Sequence, residues 1–418
     1  MTVRLAFEDG TLRIESDRET DPPLGGLPGV EADPRSETAR APALFYAPIR
    51  DVLQELDADV DDRVLAADSR SLSTSYELRD YQQNALDAWI DSNQRGVLEL
   101  PTGAGKTVIA LAAIAAVGRP TLVVVPTIDL LEQWQRELET EFDVPIGRLG
   151  GGEQRVEDVT VSTYDSAYLR ADDLGDRFGL VVFDEVHHLG AEGYQDIARL
   201  LAAPDRLGLT ATFERPDGAH EAIRELVGPR VYEIDVDDLA GDHLAPYEIR
   251  RIEVELTPEE RAAYDDAQGT FVDYIRQSNI SFSSGSDYLQ LVKRSGTDPA
   301  AREALLAKQR ARELMMNAAN KRHQLARILD RHRDDRLIVF TAHTELVYRL
   351  SERFLLPAIT NETGASERRE ILERFRDGTY SRIVAANVLD EGVDVPDANV
   401  AVVLSGSGSE REFTQRLG

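Results

Sequence analysis

The chain has 418 residues, enough for two or three domains with sizeable cores, so it is not a small scaffold held together by disulfides. It contains no cysteine, which excludes Cys-ligated zinc, and its seven His lack metal-ligand spacing apart from His187-His188. The net charge is −29, the longest apolar run (108–117) is half of a membrane span, and no targeting segment begins the chain, so we expect a cytoplasmic protein without membrane contact.

Residues 1–75 are predicted to form a small α+β module. Apolar residues alternate with polar ones on either side of Asp9-Gly10, which is typical of a β-hairpin. A Pro/Gly-rich connector follows at 20–34, and 44–56 has the spacing of a short amphipathic helix. These patterns favour a folded accessory domain over a tail.

From residue 76 onward, short apolar runs rich in β-branched residues alternate with helical stretches. This alternation predicts a doubly wound parallel sheet, whose ligand sites lie at the carboxyl ends of its strands. The predicted strands are 97–100, 121–125, 159–162, 180–183 and 206–209.

A glycine-rich segment, Leu98 to Thr107, reads Leu-Glu-Leu-Pro-Thr-Gly-Ala-Gly-Lys-Thr between a predicted strand and a predicted helix. In a phosphate-binding loop the backbone N–H groups face phosphate, the lysine reaches the β- and γ-oxygens and the hydroxyl takes Mg²⁺. The full pattern has Gly at the position of Leu100, so a structural turn is the alternative. The strand and helix on either side favour ATP, bound by Thr102, Gly103, Ala104, Gly105, Lys106 and Thr107.

Two carboxylates follow another apolar strand in Val-Val-Phe-Asp-Glu-Val-His, which ends at His187. Asp184 is the candidate Mg²⁺ ligand together with Thr107, and Glu185 would orient or deprotonate the attacking water. With Lys106, this pair makes the predicted catalytic centre.

The pattern changes over 256–336, where strand alternation stops and helices are predicted around a polar break at 278–287. A second α/β run then begins. Its predicted strands are 337–341, 382–385 and 400–404. The sequence therefore predicts two α/β lobes with a helical insert between them.

The charge balance is unusual because only four of the 47 basic residues are Lys and the rest are Arg. An acidic, Lys-poor surface is typical of proteins from salt-loving organisms, where the screening length falls to ~3 Å near 1 M salt. Residues 301–336 nevertheless carry ten basic residues against five acids. Contact with DNA phosphates and a solvated helix face are equally compatible with this cluster.

Seven short motifs occur in the order found in superfamily 2 helicases. Within that superfamily the chain resembles archaeal XPB-type DNA helicases, relatives of the TFIIH translocase subunit, over nearly its whole length. The motifs are Leu78 to Gln82, Pro126-Thr127, Ser162 to Asp165, Asp184 to His187, Thr210 to Thr212, Val388 to Pro396 and Gln415 to Gly418.

The resemblance implies two RecA-like lobes, at 76–250 and 251–418, with a thumb-like insert at 257–335 and a damage- or distortion-recognition domain at 1–75. The implied activity is ATP-dependent 3′-to-5′ opening of duplex DNA in nucleotide excision repair and transcription. The implied partners are single-stranded DNA, fork or bubble junctions and a structure-specific nuclease, with the motor acting as a monomer. We expect the protein to contact the DNA backbone rather than the bases, so that DNA binding depends strongly on salt. This mode of binding favours DNA contact by the basic cluster.

The resemblance also assigns individual roles. Gln82 would read the adenine, with Arg79 nearby, while Gly392 and Asp394 would line the nucleotide face between the lobes. A turn at 392–394, core packing of the two Thr and a packed or metal-binding His pair are the alternatives. The coupling residues would be His187, Thr210 and Thr212; the DNA-contacting residues would be Pro126, Thr127, Ser162, Thr163, Tyr164 and Arg215; and Arg416 would be catalytic in the last motif.

Two departures from the family pattern lead to further expectations. Pro216 replaces the Glu of an Arg-Glu-Asp element that the family uses in strand opening and removes a charge and an N–H, so the resemblance does not extend to the efficiency of strand separation. The last motif stops at Gly418, before two further arginines, so we expect a fragment whose hydrolysis is weaker by about 10³–10⁵.

Two other functions share these patterns. One is a double-strand DNA translocase that does not separate strands, and the other is a DNA-binding scaffold with residual ATP binding. Nucleotide-stimulated movement on DNA separates the motors from the scaffold.

Overall fold

The computed structural model describes residues 2–16, 26–34, 36, 38–65, 71–191, 193–214, 218–239, 248–278, 285–386 and 398–405. These residues fall into two compact units, one ending at Leu239 and the other beginning at Glu248. No helix in the described ranges is both long enough and apolar enough to cross a membrane.

The first unit begins with a five-stranded sheet and one helix, as the hairpin and amphipathic patterns predict. Its strands lie in the order β3-β4-β2-β1-β5, and only β1 and β5 pair in parallel. One short strand, β3, lies inside the segment predicted to be a connector. The elements are β1 (Thr2–Glu8), β2 (Thr11–Ser16), β3 (Glu31–Ala32), β4 (Ala39–Pro42), α1 (Tyr46–Glu55) and β5 (Asp59–Arg63).

This small domain packs directly on the parallel-sheet domain of the same unit. Ala202 of the larger domain is buried in the core of the small one, among residues such as Val3 and Leu5. A side chain at Gly175 would lie 2.0 Å from the Phe7 ring, so glycine permits the close approach there. The two domains therefore share apolar surface rather than only a linker.

The larger domain alternates strands and helices as predicted. It comprises α2 (Asp80–Asp91), β6 (Arg95–Glu99), α3 (Lys106–Val117), β7 (Thr121–Val125), α4 (Ile128–Glu141), β8 (Ile146–Gly150), β9 (Glu153–Arg155), β10 (Val159–Thr163), α5 (Tyr164–Leu169), α6 (Ala171–Leu174), β11 (Leu180–Phe183), α7 (Gln195–Leu200), β12 (Asp205–Thr210), α8 (Ala219–Leu226), β13 (Arg230–Glu233) and α9 (Val236–Leu239).

Its sheet has the strand order β13-β6-β12-β11-β7-β10-β8-β9, and every pairing is parallel except that of β8 with β9. All five predicted strands are confirmed. Three further strands were not predicted: β9 and β13 form the two edges of the sheet, and β8 lies between β10 and β9. Parallel pairing brings the carboxyl ends of β6, β7, β10, β11 and β12 to one edge of the sheet.

The second unit contains the predicted helical stretch followed by a parallel sheet. Its strands lie in the order β15-β16-β14-β17, all parallel, which confirms the second α/β run and adds the short strand β15. The elements are α10 (Pro258–Ser278), α11 (Gly285–Ser295), α12 (Pro299–Met316), α13 (Ala319–Arg331), β14 (Leu337–Thr341), α14 (Thr344–Phe354), β15 (Ala358–Ile359), α15 (Ala365–Arg376), β16 (Arg382–Ala385) and β17 (Val400–Ser405). Two RecA-like sheets, a helical segment and an α+β amino-terminal domain thus make up the described chain.

The basic cluster lies on α12 and α13 and in the turn after them. Ala301, Ala304, Ala307 and Ala311 bury one face of α12, while most of the arginines on α12 and α13 are exposed. Such a face is open to water or to phosphate, so DNA contact by these residues stays a prediction.

Candidate active site

The glycine-rich loop joins β6 to α3, and its conformation depends on two glycines. Gly103 and Gly105 have φ angles of 80° and 76°, in the left-handed region that residues with a Cβ rarely adopt. Gly105 immediately precedes α3, so the first turn of that helix directs backbone N–H groups into the loop. A Cβ at Gly105 would lie 2.5 Å from Gln82 Nε2, which leaves no space for a side chain.

The start of α2 fixes the loop from outside. Tyr81 Oη and Gln82 Nε2 both donate to the carbonyl of Ala104, at 2.8 and 3.1 Å. Gln82 Oε1 accepts the backbone N–H of Arg79 at 3.0 Å. The predicted adenine-reading residue therefore also supports the phosphate loop, and Tyr81, its neighbour in the same motif, is a supporting residue that the sequence analysis missed.

Lys106 lies at the first position of α3 and is held over the loop. Its Nζ donates to the carbonyls of Leu100 and Pro101, at 3.2 and 3.3 Å. Thr107, the next residue, is half-buried on the same turn. The ammonium group of Lys106 thus lies on the concave side of the loop, where a bound anion would contact both its positive charge and the backbone N–H groups.

Asp184 and Glu185 follow β11 and are both buried, with 7% and 8% of their surfaces exposed. Glu185 has a φ of 45°, a strained conformation for a residue other than glycine. Burial, and then the adjacent charge of Glu185, raise the pKa of Asp184 to about 6. Burial opposes ionisation of Glu185 too, but His187 and Lys106 outweigh it and lower the pKa of this carboxyl.

All three oxygen atoms of Asp184 accept hydrogen bonds. Oδ1 accepts the backbone N–H of Glu185 at 3.0 Å, and Oδ2 accepts the indole N–H of Trp134 at 2.8 Å. The main-chain oxygen accepts the hydroxyl of Tyr164 at 3.1 Å. Trp134 on α4 is a residue near the site that the sequence analysis missed. The available signal was a tryptophan seven residues after Thr127, the motif residue that caps this helix.

The predicted coupling residues meet behind the carboxylates. His187 Nδ1 lies 3.4 Å from Glu185 Oε2 and 3.4 Å from Thr210 Oγ1. Thr210 Oγ1 donates to the carbonyl of Thr212 at 2.9 Å and accepts its N–H at 3.1 Å. The His188 ring lies 4.5 Å from the His187 ring, centroid to centroid, so the two imidazoles are packed together.

The predicted DNA-contacting residues occupy two neighbouring strand ends. Thr127 and Thr163 are the N-caps of α4 and α5, accepting the backbone N–H of Leu130 and Ser166, respectively. Pro126 is half-buried, whereas Ser162 and Tyr164 are buried. Their DNA contacts stay predictions. Four other predicted site residues, Arg215, Gly392, Asp394 and Arg416, lie outside the described residues.

These groups fit a magnesium-bound nucleoside triphosphate. In the glycine-rich loop, a Cβ at Gly105 would displace the Gln82 side chain. The buried Asp184-Glu185 pair lies close enough to Lys106 for its positive charge to favour the ionised form of both carboxyls. No group of three or more His, Asp or Glu among the described residues could hold a metal by itself. Because Mg²⁺ usually keeps several waters and bridges phosphate to one or two protein oxygens, Thr107 and Asp184 form a suitable ligand set.

A parallel sheet with a phosphate loop at one strand end, an Asp-Glu pair at another and a second parallel-sheet unit after it define a helicase-type ATPase. Three family profiles match the chain. "Xeroderma pigmentosum group B helicase damage recognition domain" matches residues 5–64, "Type III restriction enzyme, res subunit" matches 75–215, and "Helicase conserved C-terminal domain" matches 320–418.

Similar proteins agree with these profiles. A protein of Sulfurisphaera tokodaii named "DNA 3'-5' translocase XPB2" is 44% identical over 94% of this chain and 89% of its own length. The "Putative DNA 3'-5' helicase Rad25" of Halobacterium salinarum is 33% identical over 98% of the chain and 64% of its own length. The "DNA 3'-5' helicase XPB" of Mycobacterium tuberculosis is 31% identical over 82% of the chain and 57% of its own length. The chain belongs to the XPB family of superfamily 2 DNA helicases.

Proposed function

We propose that this protein is an ATP- and Mg²⁺-dependent motor that moves 3′ to 5′ on DNA and opens duplex DNA in nucleotide excision repair and transcription. The observation that carries the proposal is the geometry around β6 and β11. A glycine loop with Lys106 and a buried Asp184-Glu185 pair lie at the carboxyl ends of strands in one sheet. The direction of movement is taken from the names of the relatives in Sulfurisphaera, Halobacterium and Mycobacterium.

Each residue at the site has a distinct chemical role in this proposal. When bound, the nucleotide with its Mg²⁺ supplies the phosphoanhydride bond whose hydrolysis releases the free energy for movement. Lys106 and the loop N–H groups bind phosphate oxygens, and Thr107 and Asp184 hold the metal. Glu185, kept ionised by the neighbouring positive charges, orients a water molecule and accepts its proton.

In this proposal His187 transmits a change in the protonation or hydrogen bonding of Glu185 to the main chain that follows β12. It lies 3.4 Å from both Glu185 and Thr210, and Thr210 is hydrogen-bonded to Thr212 at the start of the segment after β12. Phe213 N–H donates to Glu99 Oε1 at 2.8 Å, which ties that same segment to the strand before the phosphate loop. A change at Glu185 can thereby reach the main chain beyond Thr212. We propose that Gly392, Asp394 and Arg416 also take part in binding the nucleotide.

The biological setting is also a proposal. The acidic, Lys-poor composition supports a salt-rich habitat, and the family profile of residues 5–64 supports recognition of damaged or distorted DNA by the amino-terminal domain. We propose a cytoplasmic monomeric motor that acts on single strands and on fork or bubble junctions together with a structure-specific nuclease.

The decisive experiment measures ATP hydrolysis with and without single-stranded DNA for the wild type and for Lys106→Ala, over a range of potassium chloride concentrations. We expect DNA to stimulate hydrolysis in the wild type and the variant to remain at background. Hydrolysis that is equal in the two proteins would refute the motor assignment and leave the scaffold function.

A double-strand translocase is the second candidate function, because the relative in Sulfurisphaera is named a translocase rather than a helicase. Displacement of a third strand from a triplex reports movement along duplex DNA, whereas separation of a forked duplex reports unwinding. Triplex displacement without fork separation would favour the second candidate.

A further inference from the structure

The chain contains only two tryptophans, and both are buried with a hydrogen-bonded indole N–H. Trp89 donates to the carbonyl of Arg206 at 3.0 Å, an ordinary way of satisfying a buried donor. Trp134 instead donates to Asp184 Oδ2 at 2.8 Å. A hydrogen bond to a carboxylate is shorter and stronger than one to a carbonyl, so Trp134 restrains the orientation of that carboxylate.

Two of the three bonds to the oxygen atoms of Asp184 come from helices that follow other strands. Trp134 belongs to α4, and Tyr164, whose hydroxyl reaches the Asp184 carbonyl, is the first residue of α5. Both side chains are almost fully buried, at 1% and 2% exposure, and Tyr164 also stacks on Phe183 with 6.3 Å between ring centroids. Since close-packed groups cannot move independently, a displacement of either helix must alter the position of Asp184.

The same two helices begin at the residues proposed to contact DNA. Thr127 caps α4 seven residues before Trp134, which places the two on one helix face about 10 Å apart along the axis. Thr163 caps α5 and directly precedes Tyr164. Val125 and Thr163 are level in the paired strands β7 and β10, so the two caps lie side by side at the same sheet edge.

We propose that Trp134 and Tyr164 are positioning residues that couple DNA bound at the starts of α4 and α5 to the carboxylate of Asp184. This inference rests on the proposed function, since it assumes that DNA contacts Thr127 and Thr163 and that Asp184 faces Mg²⁺. DNA seated at the two caps holds α4 and α5 in one position, and the two hydrogen bonds hold Asp184 in the orientation that accepts the metal. By linkage, nucleotide with Mg²⁺ must then strengthen DNA binding by the same factor as DNA strengthens nucleotide binding.

The test is the coupling between the two ligands. The affinity for methylanthraniloyl-ADP with Mg²⁺ is measured with and without a single-stranded oligo(dT), and the reciprocal measurement is made with labelled oligo(dT). We expect a several-fold coupling in the wild type and in Trp89→Phe, which is the matched control because it also loses one buried indole donor. In Trp134→Phe the coupling should fall to near onefold, so that one ligand hardly changes the affinity for the other, while binding of oligo(dT) alone is unchanged. Tyr164→Phe should reduce the coupling in the same direction.

A second measurement leaves Trp134 intact. In Trp89→Phe, Trp134 is the only tryptophan, so its fluorescence reports directly on the environment of Asp184. We expect oligo(dT) alone to change this emission, and Mg²⁺ with unlabelled ADP, which does not quench tryptophan by energy transfer, to change it further.

The inference is overturned if both ligands bind and Trp134→Phe keeps the wild-type coupling, or if oligo(dT) binds without altering the Trp134 emission. It is also overturned if the wild type shows no coupling, a result that leaves the ATPase assignment to the Lys106→Ala comparison. Failure of the proposed function has a different signature, which is absence of oligo(dT) binding or hydrolysis at the level of Lys106→Ala.

Discussion

His187 and Thr210 lie side by side behind the carboxylate pair, with His187 Nδ1 3.4 Å from Thr210 Oγ1. They are 23 residues apart in sequence: His187 follows β11, and Thr210 is the last residue of the adjacent strand β12. The Thr210 hydroxyl also bridges the N–H and the carbonyl of Thr212. One hydroxyl group therefore joins the imidazole beside Glu185 to the main chain that leaves the sheet.

Replacing Thr210 with Val should separate hydrolysis from movement. The variant keeps the shape of the side chain but loses the hydroxyl, so we expect near-normal nucleotide affinity and a fall of about three- to tenfold in DNA movement per ATP hydrolysed. The measurement is triplex displacement and phosphate release in the same reaction. Thr212→Val is the comparison, because the bonds of Thr212 to Thr210 come from its main chain; an equal effect of the two variants would argue against the bridge.

Replacing Glu185 with Gln should stop hydrolysis without preventing nucleotide binding. The amide has the same shape but cannot accept a proton from water, so we expect the single-turnover rate to fall by about 10²–10⁴. Binding of methylanthraniloyl-ATP with Mg²⁺ should stay within a few-fold of the wild type. Hydrolysis at a near-normal rate would show that another group acts as the base.

Replacing Gly105 with Ala should weaken nucleotide binding. The added Cβ would lie 2.5 Å from Gln82 Nε2, so Gln82 must move and give up its hydrogen bond to the Ala104 carbonyl. We expect a loss of about tenfold or more in affinity for methylanthraniloyl-ADP, since the left-handed conformation adds about 1–2 kcal/mol of strain.

Gly152→Ala is the control for that loss. Gly152 has a φ of 91°, and a Cβ there would meet nothing within 4 Å, so it carries the backbone strain without the contact. Equal losses of nucleotide affinity in the two variants would mean that a general loss of stability, and not a local change at the phosphate loop, is responsible.

The stability of the first unit should carry a pH dependence from Asp205, which begins β12 and pairs with Arg119 at 2.8 Å. Burial raises the pKa of Asp205 from 3.8 to about 6 in spite of Arg119. Because the folded-state pKa lies above the unfolded value, the folded state binds this proton more tightly. Its contribution to stability is therefore present below about pH 4 and is lost as the pH rises towards about 6.

Asp205→Asn removes that titration. Relative to the variant, the unfolding free energy of the wild type should fall by on the order of 2–3 kcal/mol between about pH 4 and pH 6. Denaturant unfolding at a series of pH values measures this change in the free energy of unfolding. Asp143→Asn is the control, because it removes an exposed carboxylate instead of a buried one. A wild-type value that rises across this interval relative to Asp205→Asn would reverse the sign and contradict the prediction.

Much of the architecture could be predicted because its signals are local. Apolar runs marked β6, β7, β10, β11 and β12, and the change to helical spacing marked α10 to α13. The edge strands β9 and β13 were missed, since edge strands carry shorter or more polar runs that resemble loops. The strand β8 was missed because two glycines and an arginine interrupt its apolar pattern. The phosphate loop and the Asp-Glu pair could be located because each is a contiguous motif.

The supporting contacts could not be predicted in this way. Trp134 and Asp184 are 50 residues apart, and Phe213 and Glu99 are 114 apart. No periodicity or short motif encodes such pairs, because which strands become neighbours and how helices pack on them depends on side-chain complementarity across the whole sheet.

The sequence by itself determined that this chain carries a glycine-rich Gly-Lys-Thr loop, an Asp-Glu pair after an apolar strand and the ordered motifs of an XPB-type helicase, because these depend on residue type and short spacing. Only the tertiary structure decided that Tyr81 and Gln82 hydrogen-bond to the loop, that His187 lies beside Thr210 and that Trp134 donates a hydrogen bond to Asp184. The physical reason is that a hydrogen bond requires its two atoms within about 3 Å, and for residues far apart in sequence only the packed sheet brings them that close.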